Sequence, residues 1–185
     1  MRLDDFYRQL EVEPPALILL YGEEGYLLNQ AHQRIRSAIF GSTRDDFNDH
    51  QFHAKGARVE EILDAATTYP VFAPRKLVTV KDFQLLAAAD QDKFSSYLEH
   101  PLEQTCLLLI ADKIDSRRKF FQLFKKKGVV LKFDLLADRE LPEFVRRAAQ
   151  QRGVSISRDG LDLFCSQVSN SLQEIAGELD KLVLH

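Results

Sequence analysis

The chain has no long apolar run, which argues against a protein that crosses a membrane as a helix. Its longest apolar stretches are residues 16–21 and 106–111, whereas a membrane-spanning helix needs about 20 consecutive apolar residues. The first five residues, MRLDD, also lack the apolar core of a secretory signal, so we expect no such signal here.

The chain also has few cysteines and a small net charge. Cys106 and Cys165 are the two cysteines, and both lie inside apolar patterns, which predicts reduced, buried thiols in a cytosolic protein rather than a disulfide. The formal net charge of −3 argues against a strongly basic nucleic-acid binder but leaves a local basic patch open. The five histidines show no metal-ligand spacing with cysteine or acidic residues, so we expect no metal site. What is present, 45% hydrophobic and 29% charged residues, is ordinary for a soluble globular protein.

Strand and helix patterns alternate through the first part of the chain. Because the 105–111 segment is apolar without alternation, we expect it at the centre of a sheet. The alternation predicts an α/β domain with a mostly parallel sheet and helices on both faces. The predicted strands are 17–22, 48–53, 76–81, 105–111 and 129–133, and the predicted helices are 3–10, 25–39, 58–67, 90–99 and 116–127.

The pattern changes after Phe133, where only helices are predicted. One begins near Pro142 and stops at Gly153, a second covers 158–168, and a third starts at Ser171, with Glu174 at capping-box spacing. The apolar face of the third helix is predicted to comprise Leu172, Ile175, Ala176, Leu179, Leu182 and Val183. We therefore predict two domains, 1–137 and 138–185, the second a small helical bundle.

The turn after the first strand has the frame of a phosphate-binding P-loop but not its residues. This turn consists of Gly22, Glu23, Glu24 and Gly25. Counted from Gly22, the motif requires Gly, Lys and Ser or Thr at 27–29, where the chain has Leu27, Leu28 and Asn29. The two glutamates also place negative charge at the helix N-terminus, where a phosphate would sit. We expect neither nucleotide nor any other cofactor to bind.

Several segments, taken in order, resemble the delta subunits of the bacterial DNA polymerase III clamp loader. They are the degenerate P-loop at 20–28, the segment 60–78 that ends in YPVFAPRKLV, RELP at 139–142, and 172–182. The resemblance covers nearly the whole chain. It implies an AAA+-like three-layer αβα domain followed by a small helical, lid-like domain. The family normally has a third, helical collar domain, which we expect to be absent from this chain.

The resemblance also implies a role without hydrolysis. Delta subunits bind the ring-shaped sliding clamp (the beta subunit) and help to open it for loading onto primed DNA, while other loader subunits use the ATP. The chain would then be a non-catalytic subunit of a DNA-directed DNA polymerase (a nucleotidyltransferase holoenzyme), cytoplasmic and associated with the replisome at the bacterial nucleoid. Its implied partners are the clamp, the other loader subunits and primed DNA.

The family contacts the clamp through an apolar wedge at a helix–strand turn. The matching residues, called the apolar wedge below, are Pro70, Val71, Phe72 and Ala73. From the residues alone, an apolar pair at such a turn can equally cap the core beneath it. Only the resemblance favours the wedge.

Two other classes of function stay open. A nucleic-acid-binding module could use the basic segment 117–127 to contact phosphates, although such runs are more often the solvated face of a helix. An active P-loop NTPase is the least favoured class, because residues 23, 24 and 27–29 oppose it. The candidate DNA contacts are Arg117, Arg118, Lys125, Lys126 and Lys127.

Overall fold

The structure is a computed structural model that describes residues 2–43, 45–168 and 171–183. The side chain of Val183 and the whole of His185 lie outside the described part. The chain divides into two compact units, Met1–Asp134 and Leu135–His185. No helix in the described ranges is both long and apolar enough to cross a bilayer.

The first unit contains a five-stranded sheet in the order β2-β3-β4-β1-β5, and every pair of neighbouring strands is parallel. The central strand is β4, as its uninterrupted apolar run predicts. The elements are α1 (Leu3–Val12), β1 (Leu17–Tyr21), α2 (Gly25–Phe40), β2 (Asp49–His53), α3 (Val59–Thr67), β3 (Lys76–Lys81), α4 (Ala88–Glu99), β4 (Thr105–Ala111), α5 (Lys119–Lys127) and β5 (Val129–Lys132).

Alternate residues of the central strands are buried on opposite faces of the sheet, because successive side chains in a strand point to opposite sides. On one face Leu17, Leu19 and the odd-numbered residues of β4 pack with α3, α4 and α5. On the other face Ile18, Leu20 and the even-numbered residues of β4 pack with α1 and α2. These three layers confirm the predicted α/β architecture with helices on both sides of a parallel sheet.

Helix α5 begins later than predicted, at Lys119 rather than at residue 116. The Asp115 carboxylate accepts the backbone N–H of Arg117 at 3.0 Å, and the Asp115 carbonyl accepts that of Arg118 at 3.2 Å. This local turn competes with the first turn of the helix. The predicted inward face is confirmed: Phe120, Phe121 and Phe124 are all buried.

The buried face of helix α2 is largely the predicted one, and Ile39 packs half-buried against the same core. Leu28, Ala31 and Ile35 are buried as expected, whereas Ala38 is exposed and His32, which was not predicted, is buried. Residues 28, 32 and 35 share one helical face, so His32 lies against the sheet.

The second unit contains α6 (Leu141–Gln151), α7 (Arg158–Gln167) and α8 (Leu172–Val183). Pro142 lies in the first turn of α6, as predicted. The Ser171 hydroxyl accepts the Glu174 backbone N–H at 3.3 Å at the start of α8. Leu172, Ile175, Ala176 and Leu179 are buried as expected, whereas Leu182 is exposed and was wrongly assigned to the apolar face.

Both cysteines are free. Cys106 is fully buried, and burial raises the pKa of its thiol to about 12, which makes it unreactive. Cys165 is only half-buried, so the prediction of two buried thiols was wrong for this residue.

Candidate functional site

The backbone of the degenerate P-loop packs closely against the segment at Phe133. Gly22 has φ +140°, and a Cβ atom added there would lie 2.0 Å from the carbonyl oxygen of Phe133. The Gly22 N–H donates to the Ala111 carbonyl at 3.0 Å. The loop therefore needs glycine at this position for close backbone packing, whether or not a phosphate binds.

The N-terminus of α2 is capped by a carboxylate. The buried side chain of Glu24 accepts the Tyr26 N–H at 3.2 Å, and the Glu24 N–H donates to the Phe133 carbonyl at 3.1 Å. A carboxylate in this place satisfies a helix donor and the positive end of the helix dipole. An incoming phosphate would have to displace it.

We expect no stabilisation of the chain by ATP or a γ-phosphate analogue at millimolar concentration with Mg²⁺. A ligand that binds the folded state raises its stability by RT ln(1 + [L]/Kd), so an absent site gives no shift. Thermal unfolding with and without the nucleotide measures this. A saturable, Mg²⁺-dependent rise in the melting temperature would contradict the expectation.

The apolar wedge lies in the loop between α3 and β3, and its aromatic side chain points away from the core. Phe72 is fully exposed and Val71 is 46% exposed. The reading in which this pair caps the core is therefore wrong for Phe72. Tyr69, at the start of the same loop, and Phe47, on the loop before β2, are also largely exposed.

The backbone of Phe72 has φ +53°, in the left-handed region that bulky residues rarely adopt. Such a conformation costs about 1–3 kcal/mol and persists only where the surrounding structure enforces it. A strained, exposed phenylalanine thus stands at the centre of the wedge.

Asn48 holds the wedge through its side-chain amide, and sequence reasoning missed it. Its Nδ2 donates to the Val71 carbonyl at 2.9 Å, and its Oδ1 accepts the Val71 N–H at 2.8 Å. The sequence pattern predicts a strand over residues 48–53, but β2 starts at Asp49. The Asn48 N–H is instead bonded to the Asp45 carboxylate at 3.1 Å. An aspartate three residues before an asparagine is a turn signal that could have indicated this loop.

The wedge and the degenerate P-loop lie at opposite edges of the sheet. The wedge precedes the amino end of β3, and the P-loop follows the carboxyl end of β1. Because the strands are parallel, these ends face opposite ways. The carboxyl edge is where open α/β sheets bind small ligands, so the wedge is remote from that position.

The candidate DNA contacts do not form one patch. Arg117 and Arg118 follow the carboxyl end of β4, whereas Lys125, Lys126 and Lys127 precede the amino end of β5, at the other end of α5. These three lysines lie in the last turn of α5, where positive charge favours the helix dipole.

Several of these cations also have partners within the fold. Arg118 donates to Gln91, to the Ala88 carbonyl and to Asp92, each at 2.7 Å. Arg117 pairs with Asp115 at 3.0 Å, and Lys127 lies 3.3 Å from a carboxylate oxygen of Glu99. Phosphate contact by these residues stays a prediction, and three of the five would have to exchange an acidic partner for it.

More than half of the chain matches a known protein family. The family "DNA polymerase III, delta subunit" matches residues 18–134. The DNA polymerase III subunit delta of Bacillus subtilis (strain 168) is 27% identical over 182 residues, which cover 93% of this chain and 52% of that protein. The chain therefore spans about half the length of this curated relative.

Solved structures are similar in fold. The Bacillus subtilis DNA clamp loader delta protein superimposes with a TM-score of 0.80 at 25% identity, covering 99% of this chain and 57% of that one. A DNA polymerase III gamma subunit-related protein from Thermotoga maritima has a TM-score of 0.58 at 16% identity, covering 98% of this chain and 58% of that one. The Thermotoga maritima RuvB Holliday junction branch migration motor also has a TM-score of 0.58, at 15% identity, covering 97% of this chain and 61% of that one. The last two support the AAA+-like fold alone.

Proposed function

Since the chain belongs to the family of DNA polymerase III delta subunits, we propose that it binds a ring-shaped sliding clamp through the apolar wedge and helps to open the ring without hydrolysing nucleotide. Its further partners would be the other clamp-loader subunits and primed DNA. The helical second unit would act as the lid-like domain, and the first unit would carry the clamp-binding surface.

The observation that carries the proposal is the full exposure of Phe72 on a strained backbone. Burying a phenylalanine side chain in a partner is worth about 1.5–3 kcal/mol. Compact aromatic anchors of this kind account for much of the binding energy in protein interfaces. Neither the exposure nor the strain benefits the isolated fold, so both favour contact with another molecule.

The degenerate P-loop supports a role without hydrolysis. Glu24 occupies the helix N-terminus that a phosphate would need, and no lysine or hydroxyl stands at residues 27–29. The free energy for opening a ring must then come from binding. The wedge would have to bind the open clamp more tightly than the closed one, because only a difference in affinity shifts a population.

We expect the double substitution Val71→Ala/Phe72→Ala to weaken clamp binding at least as much as the loss of one aromatic anchor. That loss is about 1–3 kcal/mol, or about 5- to 150-fold in Kd. Titration calorimetry against the sliding clamp of the same organism measures it. The free energy of unfolding should change by no more than about 1 kcal/mol, since Phe72 is fully exposed and Val71 nearly half exposed.

Val12→Ala is the matched control, because Val12 is a similarly exposed apolar residue (88%) on α1. It should leave the Kd unchanged. A wild-type chain that is folded yet does not bind the clamp would contradict the proposal. So would a double variant that binds as tightly as the wild type.

A further inference from the structure

We infer that Asn48 is a positioning residue for clamp docking: its side-chain amide holds the apolar wedge in the conformation that presents Phe72. The inference rests on the proposed function and goes beyond it, since it assigns a role to a buried residue on a different loop from the wedge.

The contact between Asn48 and the wedge uses both polar atoms of one amide group. Oδ1 accepts the Val71 N–H at 2.8 Å, and Nδ2 donates to the Val71 carbonyl at 2.9 Å. Together the two bonds fix both sides of Val71, the residue directly before Phe72. A carboxylate could accept the first bond but could not donate the second, so the pairing depends on the amide.

The side-chain amide, the backbone N–H and the backbone carbonyl of Asn48 each have a further hydrogen-bond partner. The Asp45 carboxylate accepts from Asn48 Nδ2 at 2.8 Å and from the Asn48 N–H at 3.1 Å, and the Asn48 carbonyl accepts the Leu77 N–H of β3 at 2.8 Å. The residue is 1% exposed, so water does not compete for these bonds. The wedge is thereby tied to the edge of the sheet although its apolar side chains are exposed.

The hydrogen bonds of Asn48 explain how an exposed loop can keep Phe72 in the left-handed backbone conformation. Without the two bonds to Val71, the loop could relax to less strained conformations, and docking would then include the cost of ordering it again. Preorganisation of a binding loop raises affinity by removing that cost. Asn48 would therefore act on the affinity through Phe72, without touching the clamp.

A double-mutant cycle tests this directly. Clamp binding is measured by calorimetry for the wild type, Asn48→Ala, Phe72→Ala and the combined variant. We expect Asn48→Ala to weaken binding about tenfold, which is about 1.4 kcal/mol. The loss in the combined variant should be smaller than the sum of the two separate losses, because Asn48 acts on clamp binding through the same wedge as Phe72.

Amide hydrogen exchange supplies a readout that general destabilisation would not mimic. The Val71 N–H should exchange faster in Asn48→Ala, while amides of the central strand β4 keep their protection. If Asn48→Ala does not fold, Asp45→Ala serves as the second variant. It removes the carboxylate that orients Asn48 and should weaken binding in the same direction.

The outcomes separate the two proposals. Full affinity of folded Asn48→Ala, combined with weak binding of Phe72→Ala, overturns the positioning role and leaves the proposed function intact. Additive losses in the cycle, or faster exchange throughout the sheet, also overturn it, since Asn48 would then act through overall stability. No binding by the folded wild type overturns both.

Discussion

Gly22→Ala is expected to destabilise the first unit by several kcal/mol. An added Cβ would lie 2.0 Å from the Phe133 carbonyl oxygen and 2.5 Å from its carbon, at a φ of +140° that side chains rarely adopt. Overpacking alone costs about 1–3 kcal/mol, occasionally more, and the backbone conformation adds about 1–3 kcal/mol. The sum is a large part of the roughly 5–15 kcal/mol that stabilises a typical domain.

The clash in the Gly22→Ala variant cannot be relieved by a side-chain rotation, because the added Cβ meets backbone atoms of Phe133. The Phe133 N–H donates to the Tyr21 carbonyl at 2.8 Å, and the Phe133 carbonyl accepts the Glu24 N–H at 3.1 Å. Moving Phe133 away from residue 22 would break both bonds. A flexible side chain at the same distance could rotate aside, but this segment cannot.

Gly25→Ala is the matched control for Gly22→Ala. Gly25 is the first residue of α2, and apart from its chain neighbours and the helix backbone no atom of the described residues lies within 4 Å of an added Cβ. Alanine in place of a helical glycine should be neutral or stabilising by up to about 1 kcal/mol. Urea unfolding followed by far-ultraviolet circular dichroism measures both variants. A Gly22→Ala chain within about 1 kcal/mol of the wild type would contradict the packing argument.

Gly22 has a structural role in the degenerate P-loop that does not require a bound phosphate. A glycine after a buried strand is often taken as part of a phosphate site. Here the contact with Phe133 accounts for Gly22 without any ligand. The glycine is therefore no evidence for nucleotide binding, and only residues 23–29 indicate whether this loop can bind a phosphate.

The α/β fold could be predicted from the sequence because its strands are short apolar runs. The predicted bounds of β3 and β4 are confirmed without change. The start of α5 was missed because the Asp115 turn competes with the helix, an interaction that apolar periodicity does not report.

The candidate site was only partly predictable, for a similar reason. The position of Val71 and Phe72 at a helix–strand turn follows from local patterns. The contact of Val71 with Asn48 joins residues 23 positions apart in the sequence, so no local pattern contains it. The left-handed backbone of Phe72 was also beyond prediction, since a non-glycine residue gives no local signal for positive φ.

His32 is expected to make the stability of the first unit fall as the pH is lowered from about 6.5 to about 4. Its side chain is buried beneath α2, with Nε2 3.4 Å from the Thr79 hydroxyl. Burial, followed by the positive charge of Lys81, lowers the pKa of His32 to about 4; Asp49 opposes this shift and Arg36 adds to it. In the unfolded chain the pKa of a histidine is about 6.5.

The sign of the effect follows from which state binds the proton first. Between the two pKa values the unfolded chain is protonated at residue 32 while the folded chain is not, so acid favours unfolding. The shift corresponds to up to about 3 kcal/mol, fully lost at a pH below about 4 and fully retained above about 6.5. Burial also lowers the pKa of His50, which adds a contribution of the same sign.

Unfolding in urea at about pH 7 and about pH 4.5 separates these contributions. His32→Gln should lose most of the histidine-dependent difference in stability between the two pH values, and His50→Gln a smaller part. Carboxylates that titrate in this range are common to all the variants and cancel in the comparison. If His32→Gln and the wild type lose the same free energy between the two pH values, the buried histidine is not the acid-sensitive group.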